Sequence, residues 1–128
     1  MIIADTDVLI DFLHGRGPQV EQVEFELRNA FLGTTAITAF ELEAGALTPR
    51  HQAAIDDLLG AVAVLPLSRD AARRAGEIHR KLKASGRSLP MADCLIAAIC
   101  LTENATLLTR NRKHFERVDG LRLSVGAT

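Results

Sequence analysis

A chain of 128 residues, 48% hydrophobic and 24% charged with a formal net charge of -1, has the balance of a globular domain that buries its own core. Near-neutrality excludes a chain-wide attraction to nucleic acid or to an anionic membrane, so a charged partner has to be recognised locally. No apolar run approaches the ~18 residues that span a bilayer, no basic leader precedes the acids at positions 5, 7 and 11, and the sequence reads as one complete cytoplasmic domain over residues 1–128.

Met1 to Ala4 are apolar on both alternations, which predicts a central parallel strand covered on both faces, and Asp5 follows it directly. Val8, Leu9, Ile10, Phe12 and Leu13 then recur at helical spacing. His14-Gly-Arg-Gly17-Pro18 is a turn cluster, and Val20, Val23, Phe25, Leu27 and Phe31 mark a largely helical stretch. Leu32 to Ile37 reads as a second strand, followed by a helix from Thr38 that Pro49 ends; Thr38 and Glu41 fit the N-cap and third position of a capping box. Residues 51 to 60 read as a helix, and Ala61 to Leu67 as a third strand that Pro66 closes or pushes to an edge.

Ser68 caps a long helix over Arg69 to Ala84, with Ala71, Ala75, Ile78 and Leu82 inward and a basic outer face. Gly86 stops it. Met91 to Leu101 is apolar nearly all round, as for a helix between layers, with Asp93 in its first turn; Cys94 and Cys100 lie ~9 Å apart along it, too far for a disulfide, and read as buried thiols. Asn104 to Thr109 is a fourth strand, Arg110 to Phe115 a basic turn, and Leu121 to Val125 a fifth, edge strand. Strands alternating with helices predict an α/β fold, a mainly parallel sheet of about five strands with helices on both sides.

In such sheets ligands bind at the carboxyl edge, and Asp5, Glu41, Asp93 and the turn at Asn111 each follow a strand or open a helix near it. Three carboxylates with a carbonyl-type donor suit Mg²⁺ or Mn²⁺ rather than zinc, and the four histidines show no zinc-ligand spacing. The matching chemistry is phosphodiester hydrolysis by a metal-activated water. Each residue also has a purely structural reading: Glu41 as a capping-box acid, Asp93 as a complement to its helix dipole, Asn111 as a turn residue, Asp7 and Asp11 as a solvated or dipole-stabilising face. Asp5 has no such local use. Arg110, Arg112 and Lys113, with His114 and Arg117, form a collar suited to a phosphate backbone, although a charge run is usually a solvated face. Without Trp or Tyr, base stacking is a minor source of affinity.

IIADTDVLIDFL at the start, ITAFELEAGA around Glu41, LPMADCLIAAICL around Asp93 and ATLLTRNRKHFERVDGLRL at the end together resemble the PIN-domain ribonucleases, most closely the VapC toxins of type II toxin–antitoxin pairs. The resemblance implies a compact three-layer α/β/α domain that cuts RNA with Mg²⁺ or Mn²⁺, is usually homodimeric, and is silenced by a cognate VapB antitoxin whose tail lies along the active-site groove. It places the metal-binding acids on Asp5, Glu41 and Asp93. Its fourth position, commonly acidic, falls on Asn111, which removes one charge and weakens a second metal. Thr6, Asp7 and Thr109 match residues that flank the site. Two other readings compete. A haloacid-dehalogenase-like phosphatase would use Asp5 as nucleophile and Asp7 as general acid, but Leu9 departs from that motif and Glu41 would have no role. A non-catalytic PIN-like binding domain is motivated by Asn111, and retention of the three acids argues against it.

Overall fold

The structure, a computed structural model, describes residues 1–124. Five strands, β1 (Ile2–Ala4), β2 (Leu32–Thr35), β3 (Ala63–Leu65), β4 (Thr106–Leu108) and β5 (Arg122–Leu123), form one sheet in the order β3-β2-β1-β4-β5, every neighbouring pair parallel. Among the described residues the helices are α1 (Thr6–Leu13), α2 (Val20–Arg28), α3 (Ala36–Ala44), α4 (Pro49–Ala61), α5 (Arg69–Ala84), α6 (Met91–Thr102) and the single turn α7 (Arg112–Phe115). No described helix is long and apolar enough to cross a membrane.

Strand alternation divides the apolar side chains between two cores. Ile3 and Leu107 face one, with Ala75, Leu82, Cys94, Ile96, Ala97 and Phe115 of α5, α6 and α7. Ala4 and Leu108 face the other, with Val8, Leu9, Val23, Leu42, Ile55 and Leu58 of α1 to α4. The molecule is therefore three-layered, α/β/α, with β1 at the centre and both of its faces dry. Gly33 lets β2 sit there: a Cβ would fall 2.9 Å from Ile3 Cδ1 and 3.1 Å from the Ala63 carbonyl oxygen. Cys94 and Cys100 are free and buried, as expected.

Several expected boundaries move. The strand expected over Leu32 to Ile37 ends at Thr35, because Thr35 rather than Thr38 is the N-cap: its hydroxyl accepts from the Thr38 amide at 3.1 Å. Thr38 is then inside the helix, and the capping box that the Thr38/Glu41 spacing suggests does not exist. Pro49 does not end that helix. Gly45 is its C-cap, and Pro49 is the first residue of α4, where a missing amide hydrogen costs nothing. The third strand shortens to Ala63–Leu65: α4 runs through Ala61 at one end, and at the other the strand stops directly before Pro66, at the sheet edge as expected. Asn104 adopts φ 52 after α6 and so cannot begin β4. The basic turn winds into α7, and Val125 of the expected fifth strand lies outside the described residues.

Candidate active site

Parallel pairing brings the ends of β1, β2 and β4 to one edge, and the residues directly after β1 and β4, Asp5 and Thr109, meet there. Asp5, 4% exposed, is the N-cap of α1: its Oδ1 accepts from the Val8 amide at 3.1 Å, and its Oδ2 accepts from the Thr109 hydroxyl at 2.5 Å. Thr109 follows β4 and also accepts from the Asn111 amide at 2.9 Å, so one hydroxyl ties the first acid to the loop bearing Asn111. Thr34 secures the β1–β2 side by donating to the Ala4 carbonyl at 2.8 Å.

Glu41 reaches the same edge from the second turn of α3. The Thr6 hydroxyl donates to Glu41 Oε1 at 2.6 Å and lies 3.0 Å from the buried Thr38 hydroxyl. Thr6 therefore orients Glu41. Thr38 belongs to this small hydroxyl cluster as well, a role its sequence position hid by mimicking a cap. Asn111 Nδ2 donates to Asp7 Oδ2 at 3.4 Å, which places the fourth expected position beside Asp7.

Electrostatics tie the acids together. Burial, the largest influence, pushes Asp5 from 3.8 up to about 6, against the hydrogen bonds from Thr109 and Val8; Asp7 and Asp93 add to the rise. Asp93 is also raised, chiefly by burial and further by Glu41 and Asp7, while His114 opposes the shift. Asp5, Asp7, Glu41 and Asp93 thus share one field, with desolvation outweighing mutual repulsion. Among the described residues no three acids, histidines or cysteines stand close enough to form a ready ligand set. Thr109, Thr6 and Asn111 hold the acids individually. The donor chemistry nevertheless fits a hard divalent ion: all the donors are oxygens, and a cation would relieve both the desolvation of Asp5 and the repulsion around Asp93.

The basic collar is largely committed to the fold. Arg110 forms ion pairs with Asp7 at 3.6 Å and Asp11 at 3.2 Å, so Asp11, 7% exposed, does not belong to the solvated face expected for it. Arg112 donates to the Ser124 carbonyl oxygen, and Arg117 to the Ser88 carbonyl at 3.2 Å. Lys113 is exposed on α7. Beside Glu41, an apolar groove runs between α1, α3 and α4, lined by Ile10, Leu13, Leu42, Ala54 and Ile55.

An all-parallel α/β/α sheet with a buried acid after its central strand and further acids at the same edge defines a PIN-type domain, and the PIN domain family matches residues 2–121. Ribonuclease VapC19 of Mycobacterium tuberculosis is 32% identical over 117 residues, 90% of this chain and 92% of the relative. The tRNA(fMet)-specific endonuclease VapC of Shigella flexneri is 29% identical over 122 residues, 92% of each chain. Among solved structures, VapBC-1 from nontypeable Haemophilus influenzae superposes with a TM-score of 0.83 at 32% identity, covering 97% of each chain. DNA-bound VapBC from Salmonella typhimurium does so with a TM-score of 0.86 at 26% identity, covering 96% of each. The chain belongs to the PIN-domain family and, within it, to the VapC ribonucleases of toxin–antitoxin pairs.

Proposed function

We propose that this chain acts as one PIN unit in the cytoplasm, an endoribonuclease toxin that hydrolyses RNA phosphodiester bonds with Mg²⁺ or Mn²⁺. Asp5, Asp93 and Glu41 are the metal-binding acids, Asn111 is a neutral fourth donor, and Thr6, Asp7 and Thr109 orient them. The observation that carries this reading is Asp5: a carboxylate buried at the end of the central strand, raised to about 6 and coupled to two further acids. Asp5, Asp93 and Glu41 would hold a divalent ion, which when bound would lower the pKa of a water and offset negative charge at the leaving oxygen. The chain's own contribution is orientation. Thr109 and the Val8 amide fix the two oxygens of Asp5 from opposite elements, and Thr6 fixes Glu41. Asn111 has no charge to offer a second cation, so the first site is the stronger.

The partner is a VapB-type antitoxin, and the groove beside Glu41 suits an apolar segment of it, leaving its following residues to cross the acids. A homodimer is the functional form, and Met91, Phe40 and Leu47, exposed at 75%, 68% and 83%, are candidates for what it covers.

The test is cleavage of a mixed RNA pool by antitoxin-free protein with Mg²⁺, Mn²⁺ or EDTA, for wild type and Asp5→Asn. Because one relative is named for tRNA(fMet), a tRNA pool is offered alongside. Cutting that needs the metal and vanishes in Asp5→Asn is the expected result. Folded wild-type protein that leaves every pool intact, and whose expression does not arrest growth, would overturn the nuclease reading.

A further inference from the structure

Asp11 is a buried carboxylate in a place that gives it no local reward. It sits in the last turn of α1, where a negative charge opposes the helix dipole, and among the described residues its Oδ2 has no aligned hydrogen-bond donor. The loop after α1 closes over it: Gly17, at φ +101, lies so near that a Cβ would fall 2.8 Å from Asp11 Oδ2. Its compensation comes from across the chain. Arg110 Nη1 stands 3.2 Å from Asp11 Oδ2, and Nη2 of the same guanidinium stands 3.6 Å from Asp7 Oδ2, which also receives the Asn111 amide group.

Arg110 is thus held at the margin of the acidic site by a carboxylate outside that site. An RNA phosphate approaching those acids is repelled before it meets a metal, and a fixed cation at the margin offsets this. A guanidinium has five N–H donors in a rigid fork. Two ion contacts leave some of them for a phosphate oxygen, and 44% of the Arg110 side chain remains exposed.

We propose that Asp11 is a positioning residue that holds Arg110 beside the acidic site so that its guanidinium receives a non-bridging phosphate oxygen of the RNA strand. This rests on the nuclease reading above. Asp11 acts only through Arg110, and Gly17 packs against the Asp11 carboxylate while the guanidinium stays partly open to solvent.

The test is binding of a fluorescently labelled, mixed-sequence single-stranded RNA with Ca²⁺ in place of Mg²⁺, so that the strand stays intact, read over a range of salt concentrations. Arg110→Gln should weaken binding about fivefold and reduce the salt slope by the equivalent of about one phosphate contact. Asp11→Asn should give the same loss, and the double variant no more than either alone, because the two residues form one unit. Arg110→Lys should keep the salt slope but lose affinity, since an ammonium cannot span both carboxylates. Where Asp11→Asn melts before the assay temperature, the exposed Arg110 variants carry the test. Arg110→Gln binding indistinguishable from wild type, or additive losses in the double variant, would overturn the assignment alone. Wild-type protein that binds no RNA would overturn the nuclease reading, and this role with it.

Discussion

The Thr109 hydroxyl, one residue past β4, donates to Asp5 Oδ2, one residue past β1, at 2.5 Å across 104 positions of sequence. The contact holds down the proton affinity of a carboxylate that burial pushes up. Thr109→Val keeps the shape and removes the donor. It should cost about 1–2 kcal/mol of stability through the acceptor left in a buried place. It should also raise the Asp5 pKa further, so the acidic limb of the pH–rate profile moves to higher pH with little change in the plateau. A limb that stays in place would mean that Thr109 does not control Asp5.

Asp5 makes the metal-free fold pH-dependent in an unusual direction for an acid. Its folded pKa of about 6 lies above the ordinary 3.8, so its contribution to stability is fully present below pH ~3.8 and is lost as pH rises through about 6. The loss amounts to about 3 kcal/mol above that window. Asp5→Asn, which can still cap α1 and accept from Thr109, should therefore melt higher than wild type at pH 7.5 in EDTA and no higher at pH 4. Thermal scans at the two pH values decide it.

Metal should reverse that penalty. Millimolar Mg²⁺ or Mn²⁺ should raise the wild-type melting temperature at pH 7.5 by a few degrees, through binding to the folded state alone. The shift should vanish in Asp93→Asn and in Asp5→Asn, with cleavage in each reduced by a factor of ~100 or more. Superimposed scans with and without metal would count against the acidic site as a metal site.

Asn111→Asp supplies the acid that the family commonly carries. It removes the amide that donates to Asp7 at 3.4 Å and places a like charge there instead. Metal-free protein should melt lower than wild type by an amount equivalent to about 1 kcal/mol, and the gain on adding Mn²⁺ should be larger than in wild type. Calorimetric titration should show tighter Mn²⁺ binding, and weaker binding would remove Asn111 from the donor set.

The architecture was legible where a local pattern and the tertiary answer agree. Ile2 to Ala4 is apolar on both faces because both faces of β1 are covered, but Asp5, read as an acid with no local use, has one: it caps α1 through the Val8 amide. Thr38 and Glu41 misled because they spell a capping box three residues inside the true N-cap. What Glu41 does depends on Thr6, 35 positions away, which no local window contains. Asp11 was misread for the same reason: its burial is made by Gly17 and by Arg110. Arg112 looked free to meet RNA because the carbonyl it serves, that of Ser124 just past β5, lies 12 positions further along the chain. Boundaries slipped wherever side-chain caps or a left-handed residue set them, as at Thr35 and Asn104.

The order β3-β2-β1-β4-β5 carries a consequence for how the chain folds. The central strand pairs on one side with Leu32 and Gly33, and on the other with Thr106 to Leu108, about a hundred positions away. Closing so long a loop is entropically the more costly of the two pairings and makes the topology an intrinsically slow one. The same pairing that completes the sheet also delivers Thr109 to Asp5. Any opening of β4 from β1 therefore dismantles the acidic edge at the same moment, so an intact site is a report on an intact sheet.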